Sequence, residues 1–122
     1  LTYSSWRQAP ALPPIRIAFF GSIAAACIVS VLPQSMISNG GVGDKLAHAL
    51  VYFSLALIGA AAFPERRLLP LALAGMGAGL EVLQAFVPGR TAELADAIAN
   101  ACGAGAGALV ATGARRLRHA RG

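Results

Sequence analysis

Asp44, Lys45, His48 and Tyr52 bring two charges, an imidazole and a phenol into the opening turns of an otherwise apolar stretch. At 3.6 residues per turn, Asp44, His48 and Tyr52 share one helical face, with Lys45 beside it. A second polar group is Glu81 with Gln84, and a third is Glu93, Asp96 and Asn100. A histidine near a carboxylate is the minimum for proton transfer, which makes His48, Glu81 and Asp96 the candidate catalytic residues. No activated serine or cysteine nucleophile accompanies them. Lys45 and Arg90 suit a different task, holding a phosphate or carboxylate, while Glu81, Asp96 and Asn100 orient them or meet sugar hydroxyls.

Each of these residues also has a plainer reading. His48 can serve as an interhelical hydrogen-bonding group, and Glu81 as half of a buried pair that fixes helix packing. Arg90 can snorkel to headgroups. His48, Glu81, Glu93 and Asp96 have the ligand chemistry for a cation. There is no His-x-x-x-His pair and no second histidine within an apolar run, so neither a metal nor a cofactor is assigned. Cys27 and Cys102 have no metal-ligand neighbours and read as small buried residues.

The elements that must position these groups follow from composition. The chain has 122 residues, 57% hydrophobic and only 12% charged, and reads as one domain spanning 1–122. Soluble domains carry roughly 25% charged residues. A soluble fold of this length has too little interior for so much apolar surface, so a membrane protein is expected. The net charge of +5 raises the question of nucleic acid. The basic residues sit between apolar segments or at the ends, a pattern that topology explains and nucleic-acid binding does not.

Four apolar spans are expected, at about 15–32, 46–63, 68–87 and 92–113, in an all-α bundle. Residues 1–14 hold three prolines and Trp6, an interfacial anchor. The first run covers about 27 Å at a rise of about 1.5 Å per residue, near the hydrocarbon thickness. A cleaved signal peptide competes for this run, but it is long for one and no cleavage site follows. Asn39-Gly40-Gly41 marks a turn before the second span, and Pro64 ends that span. Pro70 lies in the first turn of the third, where a missing N–H does little harm. Thr91 is the expected N-cap of the fourth, with the basic tail after it frayed or interfacial. Gly103 with Gly107, and Gly75 with Gly79, form two small-residue stripes on which helices can approach closely.

Charge fixes the expected orientation. Arg7, Arg16, Arg66, Arg67, Arg115, Arg116, Arg118 and Arg121 fall on one side, and Lys45 and Arg90 on the other. The positive-inside rule then places both termini in the cytoplasm of a bacterial multi-pass membrane protein. The three polar groups land in the outer halves of spans two, three and four. An ionised Glu81 facing lipid would cost on the order of 2–3 kcal/mol, so it should face the bundle interior.

Taken in order, Asp44-Lys45-x-x-His48-x-x-x-Tyr52, Glu81-x-x-Gln84 with Pro88-x-Arg90, and Asp96-x-x-x-Asn100-x-x-Gly103 resemble the VanZ-like membrane proteins. The resemblance covers roughly 44–107, and the first span fits by position. It implies a small helical membrane domain. It also implies a place in the cell envelope, with a link to resistance to the glycopeptide teicoplanin. It carries Asp44, Lys45, His48, Tyr52, Glu81, Gln84, Arg90, Asp96 and Asn100 over as motif positions without assigning them roles. A phosphotransbutyrylase label attached to some members finds no support in these residues. Three functions are expected in turn: recognition of an anionic lipid-linked envelope precursor or lipid headgroup, catalysis on a lipid-linked substrate through His48, or a purely structural polar cluster. Partner membrane proteins or a homo-oligomer are expected in each case, and no nucleic acid.

Overall fold

The computed structural model describes residues 13–32, 42–89 and 92–121. Among these the fold is all-helical, with four helices and no strand: α1 Pro14–Val31, α2 Val42–Ala62, α3 Leu69–Gln84 and α4 Leu94–Arg121. Three of them, α1, α2 and α4, are long and apolar enough to cross a membrane. The lead through Trp6 and the Asn39-Gly40-Gly41 turn lie outside the described residues, as do Arg90 and Thr91.

Proline punctuates the helices as expected. Pro14 opens α1, Pro64 follows the end of α2, and Pro70 sits in the first turn of α3. Helix α2 begins at Val42, ahead of the expected 46, and two helix ends also differ from the sequence expectation. Helix α3 stops at Gln84, short of residue 87, because its last turns tighten. Ala85, Phe86 and Val87 each donate to the carbonyl three residues back. Gly89 then turns at a φ of 79°. With 16 residues α3 covers about 24 Å, less than the other three helices. Helix α4 instead runs past 113 to Arg121, so the expected fraying of the basic tail is not seen. Its Ala, Leu and Arg residues are strong helix formers, and cations favour a helix C-terminus.

Helix α4 packs most extensively on α2 and then on α3, with α1 more lightly attached. Glycine makes the closest of these contacts possible. Gly103 and Gly107 lie against the backbone carbonyls of Ala49 and Phe53, so a side chain at either would strike α2 itself. The second expected stripe is corrected by the structure. Gly75 and Gly79 open onto nothing, and the α3 glycine in close contact is Gly77, beneath Asn100 and Tyr52. The register is off by two because the polar face of Glu81 and Gln84, not the glycine spacing, sets which side of α3 turns inward.

The buried apolar core is small: Phe19, Tyr52, Leu55, Ala56, Ala62, Leu73 and Ala104. Large side chains such as Leu71, Phe86 and Leu109 lie outside. Polar groups inside and apolar ones outside suit a lipid surround.

Candidate functional site

Helices α2 and α4 begin at the same end of the bundle, where α1 and α3 finish. Each of the two starting helices carries an acid in its first turn, Asp44 and Asp96, where the helix dipole favours a negative charge. Between them stands His48, one turn into α2. Its Nδ1 lies 3.0 Å from the side-chain oxygen of Asn100. Its Nε2 lies 3.8 Å from Asp44 Oδ2 and 3.8 Å from Asp96 Oδ2. An amide oxygen only accepts, so this contact puts the proton on Nδ1. In the neutral ring, Nε2 then presents a lone pair toward the two carboxylates.

Lys45 stands on the adjacent face. Its ammonium donates to Glu93 at 2.7 Å and reaches Asp96 Oδ1 at 3.5 Å. Glu81 is 6% exposed, facing inward as burial cost demands, and its Oε1 accepts the backbone N–H of Glu93 at 2.6 Å. That N–H immediately precedes α4 and would otherwise be an unused donor at the helix start. Gln84 is buried and donates its amide to the carbonyl of Ser30 at 2.8 Å, satisfying an orphan acceptor in the last turn of α1. Tyr52 is buried one turn below His48, packed near Gly77.

The residues expected from sequence therefore separate into groups. Asp44, Lys45, His48, Asp96 and Asn100 converge. Glu81 joins them through the backbone of Glu93, while Gln84 turns toward α1. Of the three candidate catalytic residues, His48 and Asp96 face each other, and Glu81 is directed at the start of α4. Arg90 lies outside the described residues. Glu93 carries more of the site than its sequence context suggested, since it holds both Lys45 and Glu81. Its position three residues before Asp96, at a helix start, was the available signal. The part played by the Ser30 carbonyl had none, because backbone acceptors leave no trace in side-chain patterns.

A groove of about 490 Å³ runs between α1 and α2. Its floor is apolar, with Ala26, Val51, Leu55 and Ile58, and it reaches Asp44 and His48. The same face thus offers room for a hydrocarbon chain and contact with the polar cluster. Among the described residues, Asp44, His48 and Asp96 are the group whose ligand-type atoms all lie within 4.8 Å of one another.

A family model described as VanZ/LLP1 matches residues 4–115. No curated protein and no solved structure matches the chain.

Proposed function

The chain belongs to the VanZ/LLP1 family, and on that footing we propose a lipid-recognition role for this membrane protein. It binds an anionic, lipid-linked envelope precursor or a lipid headgroup at the polar end of the bundle. The observation that carries this reading is the continuity of the α1–α2 groove with Asp44 and His48. A hydrocarbon chain lies along Leu55 and Ile58 while the headgroup meets the cluster. Lys45, held by two carboxylates but still partly exposed, and Arg90, two residues after Pro88, supply positive charge for a phosphate. In this reading the polar end faces outward from a bacterial cytoplasmic membrane and both termini lie inside, as the bias of Lys and Arg along the chain predicts.

Purified protein titrated with a polyprenyl phosphate tests the reading. Lys45→Ala combined with Arg90→Ala should weaken binding about tenfold or more, as loss of charge-assisted phosphate contacts does. Ala26→Trp, which fills the groove, should weaken the long-chain ligand and spare a soluble phosphate. Equal affinities in all three proteins would reject the proposal. In cells, deletion should change sensitivity to teicoplanin.

The placement of His48 between two carboxylates favours a second reading, catalysis on the same class of lipid. His48 would take or give a proton at Nε2, with Asn100 fixing the ring. His48→Ala should then make a lipid-linked precursor accumulate, and an unchanged envelope lipid profile counts against turnover. Should Glu81→Gln and His48→Ala abolish folding with no separable defect in binding or lipid profile, the cluster is structural.

A further inference from the structure

We infer that Asp44, His48 and Asp96 form a binding site for one divalent transition-metal cation, of the zinc or manganese kind. The inference stands on side-chain geometry alone and does not need the lipid reading. Three acceptor atoms converge from two helices: the Nε2 lone pair of His48, Asp44 Oδ2 and Asp96 Oδ2. None of them can donate to another when the ring is neutral and the acids are ionised. Separations of 3.8 Å are too long for hydrogen bonds. They are close to the spacing of atoms sharing a cation at about 2.0–2.2 Å, and side-chain adjustment of under about 1 Å closes the difference.

Three further observations favour a cation. The Asp44 carboxylate has no hydrogen-bond donor among the described residues, although its side chain is only 14% exposed. Lys45 occupies Asp96 Oδ1, which leaves Oδ2 for coordination. Around His48, the carboxylates of Asp44, Glu93 and Asp96 face the single ammonium of Lys45, leaving two negative charges uncompensated among these groups. A divalent ion held by Asp44 and Asp96, whose side chains are 14% and 6% exposed, offsets that excess. The imidazole nitrogen suits zinc and the two carboxylates suit manganese, whereas magnesium and calcium prefer oxygen ligands alone.

Asn100 is the positioning residue. It touches no ligand atom of the cation but holds the ring through Nδ1, as the outer partners of metal-binding histidines do. Asp44 and His48 line the groove, so coordination positions the protein leaves open face it and can take a phosphate or water oxygen. The sequence pattern put Asp44 and His48 on one face of α2 but could not add Asp96, which comes from a separate helix. The competing occupant of the same space is a proton on Nε2, which would make His48 a cation donating to both acids.

Calorimetric titration of the chelator-treated full chain in detergent, without lipid, separates the two. Zn²⁺ or Mn²⁺ should bind once per chain and tighter than Mg²⁺ or Ca²⁺. Cobalt substituted at the site should show a visible spectrum characteristic of imidazole ligation. His48→Ala and Asp96→Asn should each abolish binding. Asn100→Ala should weaken it roughly 10- to 100-fold with the stoichiometry unchanged. His119→Ala, on the other histidine of the chain, should leave it unaltered. If His48→Ala or Asp96→Asn proves unstable, Asp44→Asn at the rim must still lower the affinity at least tenfold. Absence of stoichiometric binding, or binding that survives Asp44→Asn or is lost with His119→Ala, overturns the site. Because no lipid is present, failure here leaves the lipid-recognition proposal standing.

Discussion

Charged residues sit at both ends of this bundle, yet they are used in different ways. Where α2 and α4 begin, side chains bind one another as well as backbone: Lys45 to Glu93 and Asp96, His48 to Asn100, beside the backbone contacts of Glu81 and Gln84. Where α2 ends, side chains bind backbone. Arg16 donates to the Ala62 carbonyl, and Arg115 donates to those of Ala60 and Pro64. Arg16 also lies over the Phe63 ring, 4.5 Å from its centroid. The arginines therefore cap a helix C-terminus, satisfying its last carbonyls and its dipole. The ion pair of Arg16 with Glu65 at this end is long and partly exposed. Capping accounts for Arg16 and Arg115. It does not explain why Asp44 and Asp96 should crowd a histidine, which is why chemistry is sought at the other end.

The sharpest way to break this contrast is through the glycines of α4, which lie at different heights between the two ends. Gly103, one turn below Asn100, abuts the Ala49 carbonyl, whereas Gly113, toward the arginine end, meets nothing. Gly103→Ala should push α4 off α2 and cost about 1–3 kcal/mol, the usual range for overpacking. Gly113→Ala should be neutral or stabilise by up to about 1 kcal/mol through helix propensity. Thermal unfolding of both variants in one detergent measures the difference. Equal melting temperatures would mean that the close approach is not specific to the cluster half.

The next contrast compares two ways of satisfying a helix end. Gln84 serves the Ser30 carbonyl from a buried position, and Arg115 serves Ala60 and Pro64 from a more exposed one. Gln84→Leu strips a buried acceptor of its donor and should cost about 1–3 kcal/mol. Arg115→Met should cost less, because water can replace the guanidinium. Denaturation midpoints rank the two, and a larger loss for Arg115→Met would reverse the view of which end is buried.

Much of this arrangement was legible beforehand, for definable reasons. The inward orientation of Glu81 followed from the cost of placing a carboxylate in hydrocarbon, and the structure has it 6% exposed. The Gly103–Gly107 stripe followed from its position below Asp96 and Asn100 on the same face. What stayed hidden depended on neighbours in space. The glycine spacing in α3 pointed to Gly75 and Gly79, but the helix turns Gly77 inward. Glu81 was expected as half of a buried pair, and the structure gives it a backbone N–H from Glu93. The convergence of Asp44 and Asp96 on one imidazole nitrogen required knowing how α2 and α4 are rotated, which no single-helix periodicity contains.

The smallest effect is also the most discriminating one. A double-mutant cycle on His48 and Asp96, set against one on Arg16 and Glu65, asks whether the ends differ in energy as they differ in geometry. Both contacts are nominally ion pairs at 3.8 Å, so distance does not separate them. Surroundings do: the side chains are 15% and 6% exposed in the first pair, and 33% and 58% in the second. An exposed pair pays side-chain entropy and is screened by water, so Arg16 with Glu65 should couple by less than about 0.5 kcal/mol. Polar pairs between membrane helices average about 0.6 kcal/mol and reach about 1.7. His48 with Asp96 should fall toward the upper part of that range, since either group alone leaves the other desolvated. Repeating the first cycle with saturating Zn²⁺ should raise the coupling further if both residues hold one ion. A coupling of the same small size at both ends, with and without metal, would reduce the polar cluster to a second set of caps.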